Sequence, residues 1–246
     1  MRRDGLQRGR RGSVVRMARR SVWRLDLPGT ADYRETWDLQ RRLVMARQRG
    51  EVPDVLLLVE HPPVITCGRA TRPEHLPVPR ETLRRQGFQV FDVERGGSVT
   101  YHGPGQLVGY PIVDLRAYDE NVVGYVRMLE RTIVQCLAAF GIEGATRPGF
   151  TGVWVGQKKI AAIGVAVKRR VTMHGFALNV NTNLAHFDVI NPCGIAYVPT
   201  SMERLLGFPQ DLGIVRDAYG RAFEDVFQVA LCATALEELP SAAASV

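Results

Sequence analysis

The alternation of apolar and polar residues predicts a chain rich in short strands. Positions 22–27 and 88–93 alternate between the two classes, which is typical of strands with one buried face. Positions 55–59 are all apolar, which favours a strand buried on both faces. Further strands are predicted at 107–115, 153–155, 159–167 and 171–181. The last three follow one another closely, so we expect a β-meander.

A spacing of three or four residues between apolar positions predicts the helices. In the clearest of them, 122–140, one apolar stripe includes Val122, Leu129, Ile133 and Cys136. Further helices are predicted at 30–49, 200–206 and 214–236.

Glycines and a polar pair mark helix ends. Gly50 and Gly141 follow the last turns of two predicted helices, which is the usual place for a left-handed glycine. Thr200 and Glu203 have the spacing of a capping box.

Strands and helices are interleaved without a strict βαβ rhythm, which predicts a single α/β domain with a mixed β-sheet and flanking helices. We expect this domain at 22–236, between an Arg-rich extension at 1–21 and a flexible tail at 237–246. Because prolines crowd the stretch 60–79, that stretch is predicted to be mostly irregular loop.

The formal charge of +7 is concentrated at the N-terminus. Positions 1–20 contain eight arginines and one aspartate, so the rest of the chain is close to neutral. We expect a disordered arm, with a mitochondrial presequence or an RNA-binding arm as alternatives. The sequence has neither a secretory signal nor an apolar run long enough to cross a bilayer, so we expect a cytoplasmic protein without membrane or nucleic-acid contacts.

Four widely separated cysteines give no zinc or disulfide pattern. Cys193 lies in the turn Asn-Pro-Cys-Gly, where a reactive group is more common than in a periodic apolar stripe. Cys67 and Cys136 are predicted to be packed, and Cys232 to lie in the core face of the last helix. A catalytic thiol also needs a basic neighbour, and spacing alone leaves this choice open among His102, His174, His186, Lys158 and Lys159.

The most glycine-dense stretch, Arg-Gly-Gly-Ser-Val-Thr-Tyr-His-Gly-Pro-Gly-Gln at 95–106, matches neither a P-loop nor a dinucleotide fingerprint. Polar residues held among glycines suit a backbone that lies against a ligand, although a plain hairpin turn remains an alternative.

Three ordered motifs resemble those of the lipoate-protein transferases, which move octanoyl from acyl carrier protein to lipoyl domains. They are the stretch 95–106, Lys-Ile-Ala-Ala-Ile-Gly at 159–164, and His-Gly-Phe-Ala-Leu-Asn-Val-Asn at 174–181 continuing to Asn-Pro-Cys-Gly at 191–194. The resemblance covers roughly 22–236 and implies the fold of the biotin and lipoate ligase catalytic domain.

The resemblance also implies roles for individual residues. Cys193 corresponds to the nucleophile that carries the acyl thioester, and Lys159 to the lysine that lowers its pKa. The implied acyl-binding residues are Arg95, Gly96, Gly97, Ser98, Val99, Thr100, Tyr101, His102, Ala162, Ile163, Gly164, Gly175, Phe176 and Ala177. The small side chains of the second and third motifs would leave room for a straight alkyl chain.

By the same resemblance, the expected partners are octanoyl-acyl carrier protein, the lipoyl domains of 2-oxoacid dehydrogenase E2 subunits and the glycine cleavage H protein. The substrate is a thioester on the carrier's phosphopantetheine, so neither ATP nor a metal is expected, and the enzyme is expected to be a monomer. The competing hypotheses are an ATP-dependent lipoate or biotin ligase and a cysteine hydrolase that uses His102 or His174.

Overall fold

The computed structural model of the chain describes residues 19–118, 121–192 and 198–240. Most of its strands form one mixed sheet, and three form a smaller sheet beside it. In chain order the strands are β1 (Arg20–Thr30), β2 (Asp54–Glu60), β3 (Val64–Cys67), β4 (Gln89–Asp92), β5 (Val99–His102), β6 (Gln106–Ile112), β7 (Ala145–Arg147), β8 (Phe150–Val155), β9 (Lys158–Lys168), β10 (Val171–Asn179), β11 (Val198–Pro199) and β12 (Val229–Ala233). The helices are α1 (Tyr33–Arg49), α2 (Arg80–Arg85), α3 (Val122–Ala138), α4 (Met202–Leu206) and α5 (Leu212–Phe227).

The large sheet has the strand order β12-β1-β2-β6-β10-β9-β8-β7, with β11 paired to β9. The pairs β12–β1, β1–β2 and β11–β9 are parallel and the others are antiparallel, which confirms the prediction of a mixed sheet. The predicted meander is also confirmed, because β8, β9 and β10 pair in succession.

Helices cover both faces of the large sheet. Leu129 and Ile133 of α3 and Phe223 of α5 share one core cluster, whereas Trp37 and Leu43 of α1 belong to a second cluster on the other face. The small sheet, in the order β4-β3-β5, has its own core together with α2. This layered arrangement bears out the predicted α/β domain.

Two helix predictions were close to the observed bounds. In α1 the side chain of Asp32 accepts a hydrogen bond from the backbone of Glu35, so the helix begins after that cap and not at residue 30. Gly50 ends α1 in the left-handed conformation, as predicted. The stripe of α3 is buried at Leu129 and Ile133, but Val122, the first residue of the helix, is 43% exposed.

Local details differ from the predictions at several points. Residues 60–79 are mostly irregular, as predicted, but they also contain β3, which pairs with β4 and β5. The cap of α4 is Ser201, whose hydroxyl accepts from the backbone of Arg204, and not Thr200. The predicted tail at 237–246 includes the buried Leu239, and β1 already begins at Arg20, inside the predicted extension.

The last predicted helix, 214–236, was wrong at its C-terminal end. Helix α5 ends at Phe227, where Gln228 takes a left-handed conformation, and the chain continues as β12 beside β1. An apolar run such as Val-Ala-Leu-Cys-Ala suits either element, and long-range pairing decides between them. Cys232 is therefore exposed on an edge strand and not part of the core.

No helix within the described residues is long and apolar enough to cross a membrane. Most of the predicted N-terminal arm and the end of the predicted tail lie outside the described residues.

The burial of the cysteines predicts their order of modification. Burial raises the pKa of the Cys136 thiol to about 12 and also raises the pKa of Cys67, whereas Cys232 is exposed. We expect iodoacetamide to label Cys232 in the native protein and Cys136 only after unfolding in urea, as measured by peptide mass spectrometry. Labelling of native Cys136 as fast as Cys232 would contradict this packing.

Candidate active site

A cavity of about 350 Å³ lies between the large sheet and the stretch that leads into β5. Lys159 lines it, together with every predicted acyl-binding residue except Gly96 and Tyr101. Further lining residues that the sequence did not single out are Tyr33, Tyr110, Gly149, Phe150, Thr151, Trp154 and Pro192. Residues of the three motifs, which are distant in sequence, thus lie on one concave surface, as is common in ligand sites.

Lys159 reaches this cavity because of a β-bulge. Val153 pairs with Ala161, but the next residue, Trp154, pairs with Lys159, so Ile160 is an extra residue in β9. Ile160 and Ala161 both pack into the α3–α5 core, whereas Lys159 and Ala162 both line the cavity. Without the extra residue, strict alternation would place Lys159 on the same face as Ala161.

The surroundings of Lys159 distinguish it from Lys158. The ammonium of Lys159 lies 5.4 Å from the centre of the Trp154 ring, within the range of a cation–π interaction. Lys158 is exposed and is not part of the cavity wall. The backbone of Lys159 is also tied to the segment after residue 197, because its carbonyl accepts from Thr200 and β11 pairs beside it.

Buried hydrogen bonds hold the wall that precedes β5. The guanidinium of Arg95 donates to the side chain and carbonyl of Thr66 at 2.6–3.2 Å. The backbone of Gly96 donates to the carbonyl of Val165 at 2.8 Å, which attaches the wall to β9. Gly96 thus contributes a backbone anchor, although it does not line the cavity.

Tyr101 faces away from the cavity. Its hydroxyl lies 2.7 Å from Nδ1 of His186, and its ring packs edge-on against Phe187. Asn183 donates to the other ring nitrogen, Nε2, so His186 donates to Tyr101 through Nδ1. These contacts hold the 3₁₀ turn Leu184–Val189, which precedes the predicted nucleophile.

Small residues along β9 and β10 have two different explanations. Ala162 and Ala177 pair directly across the strands and both line the cavity, which fits the predicted space for a chain. Gly175 is instead required by packing, because a methyl group there would overlap the carbonyl of Gly109.

The ring of Phe176 stacks on Tyr219 in the helical core, with 4.2 Å between the ring centroids.

Buried aromatic groups form part of the cavity wall. Tyr33, Tyr110, His102 and His174 are each less than 10% exposed, and the rings of Tyr33 and His102 stack at 6.1 Å. Burial raises the pKa of both tyrosines and lowers the pKa of both histidines, so all four side chains are uncharged near neutral pH. These uncharged rings suit an apolar ligand, and the guanidinium of Arg95 adds one charged group to the same cavity wall.

His174 has an unusual backbone, with φ of 56° inside a strand. Its imidazole lies on the α1 side, with Nε2 3.4 Å from Glu94 Oε2, longer than a normal hydrogen bond. Burial alone would raise the pKa of Glu94, but contacts with His174 and the charge of Arg41 lower it to about 2. Because Glu94 directly precedes Arg95, this contact also joins β10 to the cavity wall.

Cys193 and Gly194 of the third motif lie outside the described residues. The described residues on either side are informative. Pro192 lines the cavity, and Val198 and Pro199 pair with Lys158 and Lys159. Among the described residues there is also no group of three or more His, Cys, Asp and Glu side chains that could hold a metal ion.

The chain belongs to the lipoyl protein ligase A/B catalytic domain family, which it matches over residues 32–224. Among its curated relatives is an octanoyltransferase of Desulforamulus reducens, 46% identical over 81% of this chain and 88% of that protein. Another is an octanoyltransferase of Rubrobacter xylanophilus, 53% identical over 74% of this chain and 82% of that protein.

Solved structures share the fold at low identity. A bipartite lipoate protein ligase from Thermoplasma acidophilum has a TM-score of 0.66 and 20% identity, covering 92% of this chain and 91% of that one. Lipoate-protein ligase A bound with ATP has a TM-score of 0.67 and 18% identity, covering 92% and 93%. These likenesses bear out the fold expected from the motifs.

The close approach at Gly175 predicts a stability difference between two glycines. We expect Gly175→Ala to lower the free energy of unfolding by about 1–3 kcal/mol through overpacking. Gly96→Ala is the matched control, since its methyl group would lie 3.5 Å from the nearest atom, the carbonyl oxygen of Val165, and should change stability by less than about 0.5 kcal/mol. Urea unfolding measures both, and equal effects would contradict the geometry.

A buried histidine beside the site predicts acid sensitivity. Burial lowers the pKa of His61 to about 4, although its bond to the carbonyl of Ala31 opposes this. As the pH falls, His61 is therefore protonated in the unfolded chain before it is protonated in the folded protein. His61 contributes stability above pH 6.5, and this contribution is lost as the pH falls towards 4. His61→Gln should flatten the pH dependence of urea unfolding in this window by up to about 1.4 kcal/mol per pH unit, and an unchanged slope would refute the assignment.

Proposed function

We propose that the chain is an octanoyltransferase that moves an octanoyl group from acyl carrier protein to a lysine on lipoyl domains, through a thioester on Cys193. Curated relatives at 46% and 53% identity bear the name octanoyltransferase. The observation that carries the proposal is the cavity itself, because its wall contains Lys159, Pro192 and the facing pair Ala162 and Ala177. One cavity wall thus contains a cation, the residue that precedes the thiol, and space for an alkyl chain.

In the first step, Lys159 takes the proton of Cys193, and the thiolate attacks the carbonyl carbon of the carrier thioester. The bond between that carbon and the pantetheine sulfur breaks, and Lys159 returns the proton to the departing thiolate. One thioester replaces another, so the exchange is close to isoenergetic and needs no ATP. A free cysteine with a pKa near 8.5 is mostly protonated at neutral pH, which is why a cationic neighbour helps.

In the second step, the target lysine attacks the thioester on Cys193. Its amine has an ordinary pKa near 10.4, so most of it is protonated and unreactive until a base removes a proton. Neutral Lys159 would remove one proton from the ammonium, and the resulting amine would attack. As the carbon–sulfur bond breaks, the second proton of the nitrogen would pass to the departing Cys193 sulfur, giving the amide, the Cys193 thiol and protonated Lys159, which then releases its proton to solvent. The thioester makes the carbonyl reactive enough for this attack.

The cavity supports recognition of an unbranched acyl chain. Burying one CH₂ group contributes about 0.8 kcal/mol, so an eight-carbon chain gains about 6 kcal/mol at most before ordering costs. Small side chains at Ala162 and Ala177 leave the space beside β9 and β10 open, and uncharged rings form another part of the wall. The fit is therefore to an apolar chain with its carbonyl near Lys159.

The position of His174 argues against a cysteine hydrolase that uses this residue. His174 pairs with Val165, six residues along β9 from Lys159, which corresponds to roughly 15–20 Å. A thiol beside Lys159 would be out of its reach. A hydrolase that uses His102, whose Nδ1 is hydrogen-bonded to Gln106, is a separate alternative, and release of free octanoate would favour it. An ATP-dependent ligase is the other alternative, and a dependence of acyl transfer on ATP would favour it.

We propose octanoyl-acyl carrier protein as donor, and lipoyl domains of 2-oxoacid dehydrogenase E2 subunits and the glycine cleavage H protein as acceptors. The mechanism requires a reduced thiol, which suits the cytoplasm. No resident cofactor or metal takes part in the two steps.

Intact-mass spectrometry after incubation with octanoyl-acyl carrier protein, without ATP, tests the proposal. We expect the mass of one octanoyl group on the wild-type chain, removable by hydroxylamine and absent from Cys193→Ser. Cys232→Ser is the matched control, since it removes an exposed thiol far from the cavity and should load normally. An adduct that persists in Cys193→Ser would overturn the thioester assignment.

The same assay separates the two lysines. Lys159→Ala should slow loading by about 10²–10⁴-fold, the usual range for losing a general acid or base. Lys158→Ala should stay within a few-fold of wild type, because Lys158 does not line the cavity. Equal losses in both variants would argue for a general charge effect on carrier binding.

A further inference from the structure

The connection between β3 and α2 contains a buried histidine that does not line the cavity. His75 ends the 3₁₀ turn Pro73–His75 and is 7% exposed. Its Nδ1 lies 3.1 Å from the backbone nitrogen of Arg72 and 2.6 Å from Oγ of Ser98. Since a backbone N–H can only donate, Nδ1 carries no proton, and the Ser98 hydroxyl must also donate to it.

The backbone of His75 makes a second connection. Its carbonyl accepts a hydrogen bond of 2.9 Å from the backbone of Asn191. Ser98 and Pro192 both line the cavity, so His75 joins two parts of its wall from behind. Asn191 lies two residues before Cys193 in the sequence.

The segment that follows Cys193 is attached elsewhere. Val198 and Pro199 pair with Lys158 and Lys159, and the backbone of Thr200 donates to the carbonyl of Lys159. Asn191, before Cys193, is thus bound to His75, and residues 198–200, after it, are bound to the strand that carries Lys159. A loop tied at both ends holds its side chains more precisely than a loop tied at one.

We propose that His75 is a positioning residue that holds Asn191 and Pro192 so that the Cys193 thiol meets Lys159. The role rests on the proposed function of Cys193 and Lys159. His75 acts through Ser98 on one side and Asn191 on the other, and it does not touch the acyl chain.

The imidazole is suited to this place because it presents one buried acceptor to two donors. His75→Leu has a similar volume but no acceptor, so it leaves the Arg72 amide and the Ser98 hydroxyl without a partner. His75→Asn keeps an oxygen close to the position of Nδ1. The pair of variants therefore separates loss of the acceptor from loss of the ring.

Two measurements on the full chain test the proposal. For octanoyl transfer from the carrier, His75→Leu should lower kcat about 10- to 100-fold and leave KM within about twofold, because misplaced groups slow chemistry without changing carrier docking. For iodoacetamide alkylation of Cys193, followed by peptide mass spectrometry across pH, the apparent thiol pKa should rise towards the ordinary value near 8.5. His75→Asn should recover most of both properties.

Leu83→Ala is the matched control for stability. Leu83 is fully buried in the core of the small sheet and is not bonded to Asn191, so this variant should destabilise the same region and leave the thiol pKa unchanged. Ser98→Ala combined with His75→Leu should cost less than the sum of the two single effects on kcat, since both remove the same hydrogen bond.

The outcomes are distinguishable. If folded His75→Leu keeps the wild-type kcat and thiol pKa, or if Leu83→Ala shifts the thiol pKa equally, the positioning role is overturned. If the wild-type chain takes no octanoyl group, the proposed function fails, but alkylation still reports whether His75 sets the state of the thiol. A rise in KM alone would also overturn the proposal, because it would place His75 at the carrier interface.

Discussion

The antiparallel pairing of β9 with β10 is the contact on which the candidate site depends. It sets Ala162 opposite Ala177 and Gly164 opposite Gly175, so the second and third motifs become neighbours although nine residues lie between them in the sequence. The first motif joins when the backbone of Gly96 donates to Val165. Each connection uses backbone groups, so it leaves the positions of Ala162 and Ala177 free to have small side chains.

One extra residue in β9 changes what this sheet can do. A regular strand would present Lys159 to the helical core, where burying an unpaired ammonium is strongly unfavourable. The bulge at Ile160 turns the lysine to the other face and leaves two consecutive apolar residues for the core. The same segment of β9 pairs with β11. Lys159 therefore turns towards the cavity at the point where the residues after 197 are attached to the sheet.

Most strands and the helices α1 and α3 could be predicted from periodicity, because each has a regular apolar face that is buried in a core. The end of α5 could not, since Val229 and Leu231 fit a helix and a strand equally until β1 is present. For the site, the motifs indicated about two thirds of the lining residues. Periodicity did not reveal Tyr33 and Trp154, whose spacing is that of ordinary core residues, nor the bulge, which leaves no mark in the sequence.

The left-handed backbone of His174 has a consequence for the order of folding. For a residue other than glycine this conformation costs about 1–2 kcal/mol, and an isolated β9–β10 hairpin has nothing to offset it. The offset comes from two contacts of α1. The buried side chain of Gln40 accepts a hydrogen bond from the amide of His174, and the indole of Trp37 donates to Glu94, which lies beside the imidazole. The conformation of His174 is therefore stabilised only once the N-terminal helix has docked, so we expect this part of the cavity wall to form after that step.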